Sequence, residues 1–289
     1  MDGVDVRAEG LGLKGPRGWA FRGITLQAEP GSLIAIEGPS GSGRTSLLLA
    51  LTGRMKPTEG VATVGGFKLP RHMARLRRVS AVANVAGVTD LEPALTVGEH
   101  LRERALLQSR FGDSLRDLLR PRAQRLHEAR LRIDAALAAA GLNPETLPKG
   151  SRTAVRDLER PQELRLSIAL ALLGRPGLLG VDDLDTKLSD AERAELWNQL
   201  RSLTRAGTTV AVVCRTAPGD CVVVWTGPKE SETDTGTGNV RGAGAGGEKA
   251  AGAQAGSSTE EDTEAEGVLR EDGNGDAKSG PKEDADALA

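Results

Sequence analysis

The sequence predicts an α/β fold: a mainly parallel core sheet, an antiparallel β part at the N-terminus and a helical subdomain inserted in the sheet. Three observations carry that prediction. Short apolar runs alternate with helical patterns along the chain, the order that builds a parallel sheet. Several of the runs are continuously apolar rather than alternating, as in strands covered by helices on both faces. The block from about Thr89 to Leu158 has no strand pattern and is rich in Leu, Ala and Arg.

In chain order, VDVRAEGLGLKG and WAFRGITLQAEPG read as two antiparallel strands with turn signals between them. SLIAIEG (32–38) is the first apolar run and leads into a helix over Thr45–Arg54. GVATVGG (60–66) and RVSAVAN (78–84) follow as strands. The inserted block, about 89–160, then supplies helices over Val97–Leu107 and Ser114–Ala140, punctuated by Pro121 and by Gly141 to Pro144. Its many arginines read as solvated faces of amphipathic helices. A helix over Gln162–Leu173 precedes the run GLLGVDD (177–183). A helix over Asp190–Arg205 precedes TTVAVVC (208–214), and DCVVVW (220–225) closes the pattern.

Composition bounds the rest. The 289 residues carry a net charge of −2, but the segment 228–289 alone holds six Lys and Arg against fifteen Asp and Glu, a net −9 that leaves +7 for residues 1–227. That segment is built of Gly, Ala, Ser, Thr, Asp and Glu with few large apolar residues, and it reads as a disordered acidic tail. No apolar run is long enough for a transmembrane helix, and the N-terminus lacks the apolar core of a signal peptide, so a cytoplasmic chain is expected. Cys214 and Cys221 have no ligand-like spacing with a histidine, and Cys214, within an apolar run, reads as a small core residue. With three Phe, three Trp and no Tyr there is little to stack bases, and nucleic acid is not an expected partner.

Two motifs carry chemistry. GPSGSGRTS matches G-x-x-x-x-G-[K]-[ST] at Gly38, Gly43, Arg44 and Thr45, with an arginine where the lysine belongs and an extra glycine at Gly41. It follows a predicted strand and opens a predicted helix. Glycines let backbone N–H groups converge on phosphate oxygens, the helix start adds its dipole, and Thr45 can present its hydroxyl to Mg²⁺. The whole loop, Gly38, Pro39, Ser40, Gly41, Ser42, Gly43, Arg44, Thr45 and Ser46, is the candidate nucleotide site. LLGVDD ends its strand in Asp182 and Asp183, as a Walker B segment would. Asp182 is placed to hold Mg²⁺ through water and Asp183 to polarise an attacking water. The alternative is that the pair caps the next helix, which has its own start signal at Ser189 or Asp190.

With these residues in place the chain resembles the ATP-binding cassette (ABC) ATPases, which share the P-loop NTPase fold. The likeness runs from about Val4 to Trp225. It is carried by FRGITLQAEPGSLIAIEGPSGSGRTSLLLALTGRMKPTEGVATVGG, by DLEPALTVGEHL at the entry to the helical subdomain, and by RLSIALALLGRPGLLGVDD. The resemblance implies an ABC-type domain over 1–227 that binds ATP with Mg²⁺. It also implies head-to-tail pairing with itself or with another cassette, a membrane permease as partner, and a place for this chain peripheral on the inner face of the membrane. Asn84 then falls at the Q-loop glutamine, a Mg²⁺ position, and Arg215 at the switch histidine. Asp183 stands at the catalytic glutamate and Ser189 at the D-loop aspartate. LERPQ (158–162) replaces the signature LSGGQ, with Glu159 and Pro161 ill suited to the partner's γ-phosphate. Gly15 lies near the adenine-stacking position, with Trp19 as a substitute or a packing residue. Substitution at so many catalytic positions leads to the expectation of an ATP-binding transporter subunit with weak or absent hydrolysis. The alternative is a regulatory or scaffold pseudo-ATPase whose acidic tail engages a partner.

Overall fold

The computed structural model describes residues 3–111 and 122–227. The expected acidic tail (228–289) and the start of the helix expected from Ser114 lie outside the described residues.

Strands β1 (Val6–Gly15) and β2 (Gly18–Ala28) form a hairpin across Pro16 and Arg17. After β3 (Leu33–Glu37) the chain turns through the glycine-rich loop into α1 (Arg44–Leu51). Next come β4 (Glu59–Val64), β5 (Phe67–Leu69), α2 (Met73–Val79) and β6 (Ser80–Ala83). The inserted block holds α3 (Val97–Phe111), α4 (Arg122–Ala140) and three single 3₁₀ turns before α5 (Arg160–Leu172). The remaining elements are β7 (Leu178–Val181), α6 (Asp190–Arg205), β8 (Thr209–Val213) and β9 (Val222–Trp225).

The strands sort into two sheets. One is antiparallel, in the order β2-β1-β4-β5; the other is wholly parallel, in the order β6-β7-β8-β3-β9. GVATVGG therefore belongs to the antiparallel sheet, where β4 pairs with β1 and β5, and not to the parallel core. Neither β5 nor α2 was expected from sequence.

The continuous apolar runs have a simple reason. Successive side chains of a strand face opposite ways, and both faces of the parallel sheet are covered. Leu33, Ala35, Leu179, Val181, Val210 and Val212 join the core under the helical block, with Val97, Leu137, Leu166 and Leu196. Ile34, Ile36, Leu178, Ala211, Val213 and Val224 face the other way, onto Leu47, Leu48 and Leu51 of α1 and onto Val6, Ile24 and Val64 of the antiparallel sheet. The sheet is the wall between two cores, and its C-terminal edge is where loops of an open parallel sheet gather a ligand.

Candidate functional site

The loop between β3 and α1 is set by glycine geometry. Gly43 is the residue before the first turn of α1, with φ 83°, and a Cβ there would lie 2.0 Å from the carbonyl oxygen of Ala20. Only glycine fits, because β2 passes directly beside the loop. The other end is held by Thr226, just past β9. Its N–H donates to Glu37 O at 2.8 Å, and its hydroxyl shares a 2.6 Å hydrogen bond with Ser42. Within the loop Ser42 N–H closes a turn onto Pro39 O at 3.2 Å. The first N–H groups of α1 have no acceptor inside the helix, which leaves a positive cradle at the helix start.

Thr45 and Asp182 meet in front of this cradle. The Thr45 hydroxyl lies 2.9 and 3.1 Å from the two oxygens of Asp182, across one intervening strand, β8. Asp182 is only 7% exposed. Burial holds its carboxyl above the usual range, against the pull of the Thr45 hydroxyl and the Asp183 N–H, which lies 3.1 Å from Oδ1. A cleft of about 610 Å³ opens over the pair, lined on one side by Gly38, Pro39, Ser40, Arg44 and Thr45. Its other wall is Asp182, Asp183, Asp185, Thr186, Val213 and Arg215. One carboxylate and one hydroxyl suit Mg²⁺, which takes few protein oxygens and completes its shell with water and phosphate. Among the described residues no cluster of three or more His, Cys, Asp or Glu could hold a metal by itself.

The other expected residues are placed as follows. The guanidinium of Arg44 donates to the Cys214 carbonyl at 2.9 Å, across the end of β8. Asn84, at φ 57°, turns its amide NH₂ to the carbonyls of Asp182 (2.7 Å) and Asp183 (3.5 Å), while its own N–H donates to Ser167 at 2.7 Å. Its amide thus braces the end of β7. Asp183, at φ 50° and half exposed, accepts the Thr186 hydroxyl at 2.5 Å on Oδ1 and faces Arg160 at 3.9 Å on Oδ2. The Arg215 N–H donates to Asp185, and its side chain lies exposed on the cleft wall.

Ser189 begins α6, its N–H and hydroxyl both bonded to Glu192 at 2.7 and 2.6 Å. The cap of that helix is therefore Ser189 and not the Asp pair. In LERPQ, Gln162 caps the start of α5 by accepting the Glu159 N–H at 3.1 Å. Trp19 stands on β2 with the Arg22 guanidinium 4.6 Å and the Lys14 ammonium 5.6 Å from its ring. Burial pushes the thiol of Cys214 up to about 12 and that of Cys221 up to about 11, so neither is a nucleophile at neutral pH.

Sequence reasoning missed Thr226, Thr186 and Asp185. The last two stand in VDDLDT beside the carboxylates already singled out, where a polar run after a strand end is a usable signal. Nothing in the sequence marks Thr226.

Comparison with known proteins points to one family. The family model described as ABC transporter matches residues 21–185. The chain is 31% identical over 191 residues to the Nod factor export ATP-binding protein I of Cupriavidus metallidurans, covering 65% of this chain and 55% of that one. It is 32% identical over 213 residues to an ABC transporter ATP-binding/permease protein of Mycobacterium tuberculosis, covering 74% of this chain and 22% of that one. Among the curated relatives first matched, the chain spans about half their length or less. Among solved structures it resembles the ATP-binding cassette MJ0796 in a dimeric post-hydrolysis state bound to ADP and Pi, with a TM-score of 0.57, 24% identity and coverage of 73% and 88%. It also resembles cbiO1 from Clostridium perfringens, part of the ABC transporter complex cbiONQ, with a TM-score of 0.58, 20% identity and coverage of 75% and 80%. With more than half of its length matched by that family model, and the glycine loop and the Thr45–Asp182 pair inside the match, the chain belongs to the ABC transporter family, as a nucleotide-binding domain.

Proposed function

We propose that the chain is an ATP-binding subunit of an ABC-type transporter that binds MgATP at Gly38–Ser46 and hydrolyses it weakly or not at all. Residues 1–227 form the ATP-binding domain in this reading. A membrane permease subunit and a second cassette, identical or different, are its partners, and the chain is cytoplasmic, peripheral on the inner face of the membrane. Among the described residues no helix is long and apolar enough to cross a membrane.

The observation that carries the proposal is the Thr45–Asp182 contact beneath a glycine loop that no Cβ could enter at Gly43. The loop's N–H groups and the start of α1 would hold the β- and γ-phosphates, with Thr45 and, through water, Asp182 holding Mg²⁺. That cation would neutralise phosphate charge. In hydrolysis, water adds to the γ-phosphorus, the bond to the β–γ bridging oxygen breaks, and ADP leaves. The carboxylate beside Asp182 takes the water's proton.

Asp183 is one methylene shorter than the glutamate of the family, and a shift of about 1 Å in such a group costs ~10²-fold in rate. Arg44 is a planar cation already bonded to Cys214 O, a poorer fit to the phosphates than a lysine. Both support slow turnover. A second reading, a regulatory or scaffold pseudo-ATPase, is favoured by Glu159 and Pro161 in the signature segment, where charge and a missing N–H oppose phosphate binding in trans.

Titration of a fluorescent ATP analogue with and without Mg²⁺, followed by phosphate release, tests the proposal. Micromolar Mg²⁺-dependent binding with slow release is expected, and Arg44→Lys combined with Asp183→Glu should raise the rate about 10-fold or more. Absence of binding sinks it. Rapid release by the unaltered chain removes the claim of weak hydrolysis. Failure to associate with any permease favours the scaffold reading.

A further inference from the structure

LERPQ stands where the family carries a phosphate-binding segment, yet in this chain it reaches its own cleft. Arg160 is the first residue of α5, and its position is tightly set. Pro161 fixes the backbone of the first turn, and Gln162 accepts the Glu159 N–H. The Arg160 guanidinium is bonded to Glu163, one turn along, at 3.1 Å. Only 20% of its side chain is exposed, and from there its second Nη faces Asp183 Oδ2 at 3.9 Å. The other oxygen of Asp183 accepts the Thr186 hydroxyl at 2.5 Å. Asp183 itself sits at φ 50°, a left-handed conformation that turns the chain sharply after β7. Asp183, the carboxylate assigned to activate water in the proposed function, is thus met at both oxygens by its own chain.

We infer that Arg160 and Thr186 form a clamp that holds the Asp183 carboxylate away from an attacking water, so that the cassette restrains its own hydrolysis in cis. This rests on the reading of the cleft as an MgATP site. Arg160 is a positioning residue here, acting through Asp183. Asp183 is half exposed, so the clamp is an ion pair in reach of solvent and weakens with salt.

The test is single-turnover phosphate release, with analogue affinity measured in parallel, for the full chain and its variants. Arg160→Gln should release phosphate about 10- to 100-fold faster, with affinity within about twofold. Arg160→Lys should keep the slow rate, and Thr186→Val should give part of the gain. The gain must vanish in Arg160→Gln combined with Asp183→Asn. Added salt should speed the unaltered chain and leave Arg160→Gln flat, a response that a merely structural role would not give. An unchanged rate in Arg160→Gln overturns the clamp. So does a gain that survives Asp183→Asn, since Arg160 would then act on a partner's nucleotide. If the unaltered chain binds no nucleotide, the proposed function falls and the clamp is read separately. The guanidinium NMR signal of Arg160 in nucleotide-free protein must then shift on Asp183→Asn, and an unmoved signal overturns it.

Discussion

Asp182 is held in the folded chain at a cost. Burial disfavours its charge more than the Thr45 hydroxyl and the Asp183 N–H favour it, so its carboxyl titrates above the ordinary range. A folded-state value raised above the unfolded one means that this group favours folding below the unfolded value, about pH 4. That contribution is lost as pH rises through the folded value, and near neutrality Asp182 destabilises the nucleotide-free protein. Asp182→Asn should therefore raise Tm at about pH 7, with the gap closing as pH falls toward about 4. The same substitution should abolish the Mg²⁺-dependent part of nucleotide binding, because the ion is what would offset the buried charge. Thermal unfolding across pH, with and without Mg²⁺ and ATP, checks both halves. A Tm lowered equally at every pH would mean that Asp182 is a structural hydrogen-bond acceptor and nothing more. Stability surrendered at one residue in this way is common where a site is built for a cation.

At the scale of elements, the phosphate loop is fixed by what passes next to it. Gly41 and Gly43 both have φ near 80°, but a Cβ at Gly41 meets open space and one at Gly43 overlaps the backbone of β2. Gly41→Ala should cost about 1 kcal/mol of strain alone, whereas Gly43→Ala should cost about 3 kcal/mol or more and displace the loop from its cleft. Denaturant unfolding and analogue binding separate the two: near-normal affinity for the first, none for the second. Equal losses would mean that the loop is not seated on β2.

The loop was legible in the sequence because its residues are neighbours in the chain, and the same is true of α6. That helix spans Asp190–Arg205 as its serine start signal and apolar spacing predict. What was not legible depends on distant partners. β5 and α2 have three and seven residues, too few for a period to register. GVATVGG reads as a strand, but which sheet takes it is decided by pairing with β1, more than forty residues away. The bond of Arg44 to the Cys214 carbonyl and the clamp on Asp183 arise from backbone turns that leave no mark on residue spacing.

At the scale of the molecule, the stretch matched to the family ends at residue 185, but the sheet does not. β8 separates β3 from β7 and so sets the distance between the glycine loop and Asp182, and β9 closes the far edge of β3. β9 pairs with β3 from Ile34↔Val222 to Glu37↔Trp225, buries Val224 in the core shared with α1, and delivers Thr226 to Glu37 and Ser42. The phosphate loop is therefore pinned by residues 188 positions further along than its first glycine, counting from Gly38 to Thr226. We propose that 1–227 is the whole folding unit and that the net −9 of residues 228–289 acts outside it. A chain ending at Gly227 should keep its Tm within about 1 °C and its nucleotide affinity within about twofold, since β9, Thr226 and the described contacts that pin the loop are all kept. A chain ending at Cys221 loses β9 and Thr226 together. It should unfold many degrees lower and bind no nucleotide, and Thr226→Val in the full chain should reproduce the binding defect in milder form with the fold intact. If removal of 228–289 alone lowers Tm as far as removal of β9, the acidic segment is part of the folded domain and the boundary at 227 is wrong. The charge balance makes a second, independent reading available. Without the acidic segment the remaining chain carries +7, so retention on a cation exchanger should rise sharply while the unfolding transition stays where it was.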